Sequence, residues 1–444
     1  MKTDYARPVF IGSVTLRLFT IITSAPPYMT KLNKLLCVSS LLILFVASQR
    51  TYAVDWPQFR GPDRTGVSSE AELLQEWSSS GPEQVWLSED VGLGYSGPAV
   101  VDGNIFIMGA KKNKEYLFCL DEKSGVTLWS TSMGRKFESP WGDGPRGTPT
   151  VDGDRVYAMS AQGLLVCASV TDGKVKWKKT MKSLGGVIQK WGYTESVLVD
   201  GDLVLCTPGG KKGTMAALDK LTGKLVWQTK DWQDVAQYAS IVPAEIQGVK
   251  QYVQLTQKQF AGIAPEDGRV LWQADFRGGR VAVIPTPIVH DNHVYISAGY
   301  GAGSVQVKIN SDQTVSDVYS NKVMKNHHGG VIRVGDYLYG HSDAVGWVCQ
   351  DWKTGEKVWA EKGELGKGAI GYADGKLYCL EEDSGTLVLI DASPDGWKER
   401  GRLTLSPQSE QRSERGKVWA HPVIANGKLY LRDQEFFFCF DVSG

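Results

Sequence analysis

A pair of short apolar-alternating runs joined by Asp-Gly, Asn-Gly or a similar dipeptide recurs along this chain, and that repetition restricts its fold more than any other feature. The copies read "PAVVDGNIFIMGA" from residue 98, "TPTVDGDRVYAMSA" from 148, "SVLVDGDLVLCTPG" from 196 and "TPIVHDNHVYISAG" from 286. They continue as "GVIRVGDYLYGHSD" from 330, "AIGYADGKLYCLEED" from 369 and "HPVIANGKLYLRDQE" from 421. A weaker copy, "SIVPAEIQGVKQYVQLTQ", begins at 240. Alternation on both sides of such a dipeptide is the mark of a β-hairpin whose turn needs positive φ.

A second pattern follows most copies: "CLDEKSGVTLW" at 119, "VTDGKVKW" at 170, "LDKLTGKLVW" at 218, "APEDGRVLW" at 264 and "QDWKTGEKVW" at 350. Gly supplies a left-handed turn between a third and a fourth strand, and Trp129, Trp177, Trp227, Trp272 and Trp359 fall on the fourth. Two hairpins make a four-stranded unit of about 45 residues, the size of a propeller blade. The last copy ends at "FFFCFDVSG" without a fourth strand, while "PEQVWLSE" around Trp86 supplies one near the other end. The reading is an all-β, eight-bladed β-propeller of four-stranded antiparallel blades over 83–444, its last blade completed by an N-terminal strand that removes the free edges. Repeated Trp residues on fourth strands read as packing between blades.

Lys plus Arg and Asp plus Glu both number 49, so the chain offers no basic field for nucleic acid or an anionic membrane. Residues 29–53, "MTKLNKLLCVSSLLILFVASQRTYA", have a basic start at Lys31 and Lys34, an apolar stretch from Leu35 to Ala47 and a small-residue cleavage pattern ending at Ala53. That is an export signal, too short in its apolar part for a stable membrane anchor, and it puts the mature protein in the periplasm or outside the cell. Cys37 lacks the preceding small residue of a lipidation site. Residues 1–28 read as an over-called start, and 54–82 as a leader or cap.

The other six cysteines invite a disulfide reading in an oxidising compartment, but repeat position argues against it. Cys119, Cys167, Cys349 and Cys439 share a third-strand position and Cys206 and Cys379 a second-strand position, so they lie apart around the ring and read as buried free thiols.

In a propeller the first strand of each blade lines the axis, and the segments that lead into these strands converge at one mouth. Read so, "KNHHGG" puts His327 and His328 there, only one of them facing the axis because neighbouring strand residues alternate. The equivalent segments of other blades add Tyr95, Arg146, Trp191, Tyr193, Glu195, Tyr238, Lys367, Trp419 and His421. Three of them are long: "SMGRKFESPWGDGPRG", "MKSLGGVIQKWGY" and "LSPQSEQRSERGKVWA". Such a ring can hold a flat anionic ligand. Trp191 or Trp419 would stack on it, Arg146 and Lys367 would pair with carboxylates, and Glu195 would hold a cation or act as a base. The bland alternative is that these groups solvate a channel and satisfy one another. A transition-metal site from His327, His328 and His421 is disfavoured, since blades six and eight are not neighbours. The Gly-rich "GYGAGS" at 299 and "TPGGKKGT" at 207 precede no helix and read as turns.

The repeat, with its D-x-x-T-G-x-x-x-W element, resembles the quinoprotein alcohol dehydrogenase-like family of pyrroloquinoline quinone (PQQ) repeat propellers over 83–444, and "DWPQFRGPDRTGVS" at 55–68 is similar to the leader of exported bacterial members. The resemblance implies one of two functions. One is PQQ-dependent oxidation of an alcohol, polymeric alcohols included, or a sugar, with PQQ and Ca²⁺ on the axis and an external electron acceptor. Glu195, His327 or His421 would then take the hydroxyl proton, and Tyr95, Arg146, Trp191, Tyr193, Tyr238, His328, Lys367 and Trp419 would hold the cofactor. The other is a non-catalytic scaffold of the outer-membrane assembly (BamB) type that docks an envelope protein. The chain lacks the adjacent Cys-Cys pair of many family dehydrogenases and the Cys-x-x-Cys-His of a covalent haem, so no haem relay is expected.

Overall fold

Alternation along the strands puts apolar residues on both faces of every sheet, and both faces are covered. In the computed structural model, which describes residues 55–444 apart from 277 and 280, the strands form eight four-stranded antiparallel sheets. The expected segments 1–28 and 29–53 lie outside the described residues. Seven sheets use four strands consecutive in the chain, and the eighth sets Glu83–Ser88 beside Phe436–Asp441, Lys428–Asp433 and Val423–Ala425. The protein is thus an eight-bladed propeller closed by an N-terminal strand, as the truncated last repeat predicts.

The hairpin dipeptides explain the first turns of the blades. Asp102–Gly103, Asp374–Gly375 and Asn426–Gly427 have positive φ at both central residues, the type I′ requirement that Asp, Asn and Gly tolerate. In blade 2 the register moves on by one: Asp152 pairs with Arg155, and Gly153 becomes the first central residue.

The core is divided into eight clusters, one between each pair of adjacent blades. Within the second strand of blade 2, Val156 and Ala158 pack with Phe106 and Leu117 of blade 1. Their neighbours Tyr157 and Met159 pack with Val204 and Leu218 of blade 3. The same alternation runs around the ring to the seam, where Tyr430, Phe437 and Cys439 of blade 8 meet Ile105 and Phe118 of blade 1. The six cysteines of the described residues are buried and free.

Most interfaces also carry a tie at their outer part. Trp129 Nε1 donates to the Val170 carbonyl of the next blade (3.0 Å), Trp177 to Lys220 (2.9 Å), Trp227 to Pro265 (2.8 Å) and Trp359 to Ser393 (2.9 Å). For Trp129, Trp177 and Trp227 the receiving turn is Gly-specific. At Gly223, φ is +68° and a Cβ would fall 2.6 Å from the Trp177 ring. Trp272 departs from this, donating to Gln251 of its own blade (2.5 Å) and facing a blade-5 turn that has Gln313 in place of Gly. Trp86, on the strand that closes the ring, repeats the tie to Glu122 of blade 1 (3.0 Å).

The leader does more than cap one end. It crosses the axis: Trp56 bridges Val100 of blade 1, Ser68 N donates to Tyr372 of blade 7 (2.9 Å), and Leu74 N to Val442 of blade 8 (2.8 Å). Between these points Arg64, 2% exposed, donates to the carbonyls of Ser196 (2.8 Å), Val197 (2.5 Å) and Ile241 (2.6 Å) on blades 3 and 4. Arg60 donates to Val331 of blade 6 (2.7 Å).

Because Trp86 ties the seam, Trp86→Ala is expected to lower unfolding free energy by about 3–5 kcal/mol. Val85→Ala, beside it and 43% exposed, is expected to change it by less than about 0.5 kcal/mol. Urea denaturation of the two variants checks this, and equal effects would contradict a seam held by the indole.

Candidate functional site

A cavity of about 350 Å³ lies on the axis, floored by Trp56, Phe59 and Arg60 of the leader and open at the end where the incoming segments converge. Tyr95, Arg146, Trp191, Tyr238, His327, His328, Trp419 and His421 all line it. Their rings form a collar. Trp141 meets Trp191 edge-on (5.7 Å between centroids) and Trp191 meets Tyr238 (5.7 Å). On the other side Tyr300 meets His327 (4.6 Å), His327 meets His328 (5.0 Å), His328 meets Trp419 (5.6 Å) and Trp419 meets Tyr95 (5.1 Å). Tyr95 Oη donates to the Trp141 carbonyl (2.9 Å), joining the two arcs. Thr148, Ser240 and Thr286 also line the wall, the Ser240 hydroxyl accepting from Ser196 N (3.0 Å).

Three expected members do not line the cavity. Glu195 is 2% exposed and turns into the blade 3–blade 4 interface, where it accepts from Thr207 N (2.7 Å), Thr207 Oγ1 (2.7 Å) and Gln254 Nε2 (3.3 Å). Burial pushes its pKa up to about 7, against the Thr207 hydrogen bonds and the Arg64 charge. Tyr193 is buried, its hydroxyl donating to Pro208 O (3.0 Å). Lys367 stands behind the collar, 2.6 Å from His327 Nδ1 and 3.2 Å from Asp343 Oδ1.

Both histidines of the 327–328 pair face the cavity, against the expectation that only one would. Strand alternation does not apply there, because the first strand of blade 6 begins only at Ile332. Asn326 and Gly330 close a turn instead, through Nδ2 to Gly330 O (2.9 Å) and Gly330 N to Oδ1 (3.1 Å). His421 also reaches this turn, its Nε2 donating to the His328 carbonyl (3.0 Å), so blades 6 and 8 do meet where the ring narrows at the axis.

The chemical centre of the collar is a residue the sequence reading passed over. Glu382 Oε2 accepts from His328 Nε2 and from Trp419 Nε1 (2.9 Å). Burial raises its pKa, but the His328 bond and charge, Lys367 and the Trp419 N–H outweigh that and hold it down to about 2. The carboxylate fixes the His328 tautomer with hydrogen on Nε2, and the buried Nδ1 has no partner among the described residues. A hairpin argument could have found Glu382: Glu381 ends the second strand of blade 7 opposite Gly368, so Glu382 lies beside the incoming segment and donates its N–H to Lys367 O (2.8 Å). Tyr300, after the second strand of blade 5, is placed in the same way.

The profile of the PQQ-repeat family described as outer membrane protein assembly factor BamB matches residues 113–361, from the third strand of blade 1 to the fourth of blade 6. The chain belongs to this family. The outer membrane protein assembly factor BamB of Kangiella koreensis is 24% identical over 226 residues, 46% of this chain and 48% of that protein, so the chain spans about half the length of this curated relative. Among solved structures, BamB from Moraxella catarrhalis superposes with a TM-score of 0.56 at 15% identity, over 81% of this chain and 97% of that one. The quinohemoprotein alcohol dehydrogenase ADHIIG from Pseudomonas putida HK5 does so with a TM-score of 0.56 at 11% identity, over 88% and 80%. At such identities the likeness is one of fold.

The charged side chains expected to pair with the carboxylates of PQQ and with Ca²⁺ are engaged by the protein itself, while the aromatic ones line the cavity. Arg146 donates to the carbonyls of Gly144 (2.5 Å) and Gly142 (2.7 Å) and lies over the Tyr95 ring (5.4 Å). Lys367 is taken by Asp343 and His327, and Glu195 is outside the cavity. Among the described residues no three His, Cys, Asp or Glu side chains cluster as a metal site. This donor set does not fit a tricarboxylate with its cation in the arrangement the resemblance implied.

The collar carries a pH signature. Burial, with the Arg60 charge, holds His421 down to about 4, and burial with the Lys367 charge does the same to His341. Below the ordinary value of 6.5 the unfolded chain binds protons that the folded one refuses, so stability falls as pH drops from 6.5 toward 4. At pH 5 this amounts to about 1–2 kcal/mol per histidine. The double variant His341→Gln/His421→Gln is expected to lose less stability between pH 7.5 and pH 5 than the native chain, read from urea midpoints; an equal loss would refute the assignment.

Proposed function

We propose that the protein is an exported propeller that binds a sugar or related alcohol in its axial cavity, ring faces against the aromatic collar and hydroxyls toward Thr148, Ser240 and Thr286. The collar around a floored cavity is the observation that carries this reading. A pyranose has apolar faces and a polar edge, and a concave, mostly aromatic wall with a few placed polar groups is matched to that shape. The Glu382 carboxylate, held by His328 Nε2 and Trp419 Nε1, fixes the orientation of both rings in the collar. The export signal at 29–53 supports a periplasmic or extracellular setting.

A second reading, a non-catalytic scaffold docking an envelope protein, is supported by family membership and by Val187 and Ile188. These are 64% and 44% exposed on the long loop that carries Trp191.

Tryptophan fluorescence titration with neutral mono- and oligosaccharides separates the readings. Saturable quenching is expected. Trp191→Ala should weaken it by about tenfold or more, while Tyr193→Phe, outside the cavity, should leave it unchanged. Quenching by PQQ with Ca²⁺ and by no sugar would favour the quinoprotein reading. Silence from every ligand, with partner cross-linking at Ile188, would favour the scaffold.

A further inference from the structure

The three longest incoming segments meet on one side of the mouth, and what they bring together is a pair of indoles with two cations on them. Lys190 Nζ lies 4.9 Å from the ring centroids of both Trp141 and Trp191, and Arg415 lies 5.1 Å from that of Trp141. Ser413 Oγ donates to Pro140 O (3.0 Å), fastening the Arg415 loop to the Trp141 loop.

Other cations of this rim are engaged, Arg146 by backbone carbonyls and three more by carboxylates. Lys417 is bound to Asp383, Arg412 to Asp433 (2.5 Å) and Lys136 to Asp143 (2.7 Å). Lys190 and Arg415 are exposed and pair with no carboxylate among the described residues. The one acid in the collar, Glu382, is already held by His328 and Trp419. Two uncompensated charges over aromatic faces at the lip of a sugar-sized cavity form a subsite for an anion attached to a ring.

We infer that the ligand is an acidic glycan, a sugar chain bearing carboxylate or sulfate groups. One unit occupies the axial cavity, and the next lies over the Trp141–Trp191 corner with its anionic group between Lys190 and Arg415. This rests on the proposed sugar-binding reading and adds the charge and the polymeric nature of the ligand. Trp141, Trp191 and Arg415 all line the mouth of the cavity, so a glycan with one unit on the axis has its next unit across that corner. Exposed cations on half-buried indoles make charge the discriminating feature, and salt should weaken it.

Isothermal titration of the purified chain with tetragalacturonate, its fully methyl-esterified counterpart and a sulfated galactan tetrasaccharide tests this. At least one acidic ligand is expected to bind about tenfold more tightly than the ester. That preference should fall between 50 mM and 300 mM NaCl and disappear in Lys190→Ala/Arg415→Ala. Carboxylate against sulfate identifies the anion. Equal affinity for acid and ester would overturn the inference and leave sugar binding standing. No binding of any of the three would overturn both.

Discussion

The hydrogen bond from an indole N–H on the outer strand of one blade to a carbonyl in the next blade's last turn is the interaction on which the ring depends. A sheet in this fold cannot bury either face alone, so each blade is stable only between two others. Interface clusters of Val, Leu, Ile and Ala supply burial but little angular definition. The Trp tie supplies direction: a flat ring seated on a Gly at positive φ and a donor aimed at one oxygen fix both spacing and tilt. Blade 5 shows the constraint with another chemistry. Tyr319 replaces Trp, its hydroxyl reaches the Trp352 carbonyl (3.2 Å), and Gly355 lies beneath the ring.

Closure is a separate problem, because a ring is as stable as its seam. The pairing of Glu83–Ser88 with Phe436–Asp441 and the Trp86 tie act at the outer side. Nearer the axis, Arg432 of blade 8, 1% exposed, donates to the carbonyls of Gly92 (2.9 Å), Ser96 (2.9 Å) and Met108 (2.6 Å) of blade 1. The first and last blades are thus joined by a strand, by the indole that this strand carries and by a guanidinium from blade 8.

The architecture was legible in the sequence because it is repeated: eight copies of one hairpin signal fix strand number, order and the missing strand without any long-range inference. The mouth was legible to the extent that it is made of incoming segments, which is why Tyr95, Arg146, Trp191, Tyr238 and Trp419 were found. Position in a segment does not say where a side chain points, and Glu195 and Tyr193 were lost to that. Glu195 follows the cavity-lining Thr194 by one residue and faces the opposite way, into the sheet interface. Glu382 was missed because only the starts of first strands were considered, whereas antiparallel pairing brings the ends of second strands to the same mouth. The leader arginines belong to no repeat, and nothing in their local sequence gives them an address on the axis.

Those arginines answer a need created by the fold itself. The first strand of every blade is an edge strand facing the axis, and an edge leaves carbonyls without a ladder partner. Each left buried and unpaired would cost about 1–3 kcal/mol. A guanidinium has five donors in a fixed fork, so one placed at the centre can satisfy oxygens from several converging strands. Arg64 does this for blades 3 and 4, Arg60 for blade 6, and Arg432 for the blade 8–blade 1 seam. The lower axis is thus filled by guanidinium groups whose hydrogen bonds go to backbone carbonyls. The aromatic collar and its rim cations, carried on loops that bear no structural load at the axis, are where recognition can vary without disturbing the ring.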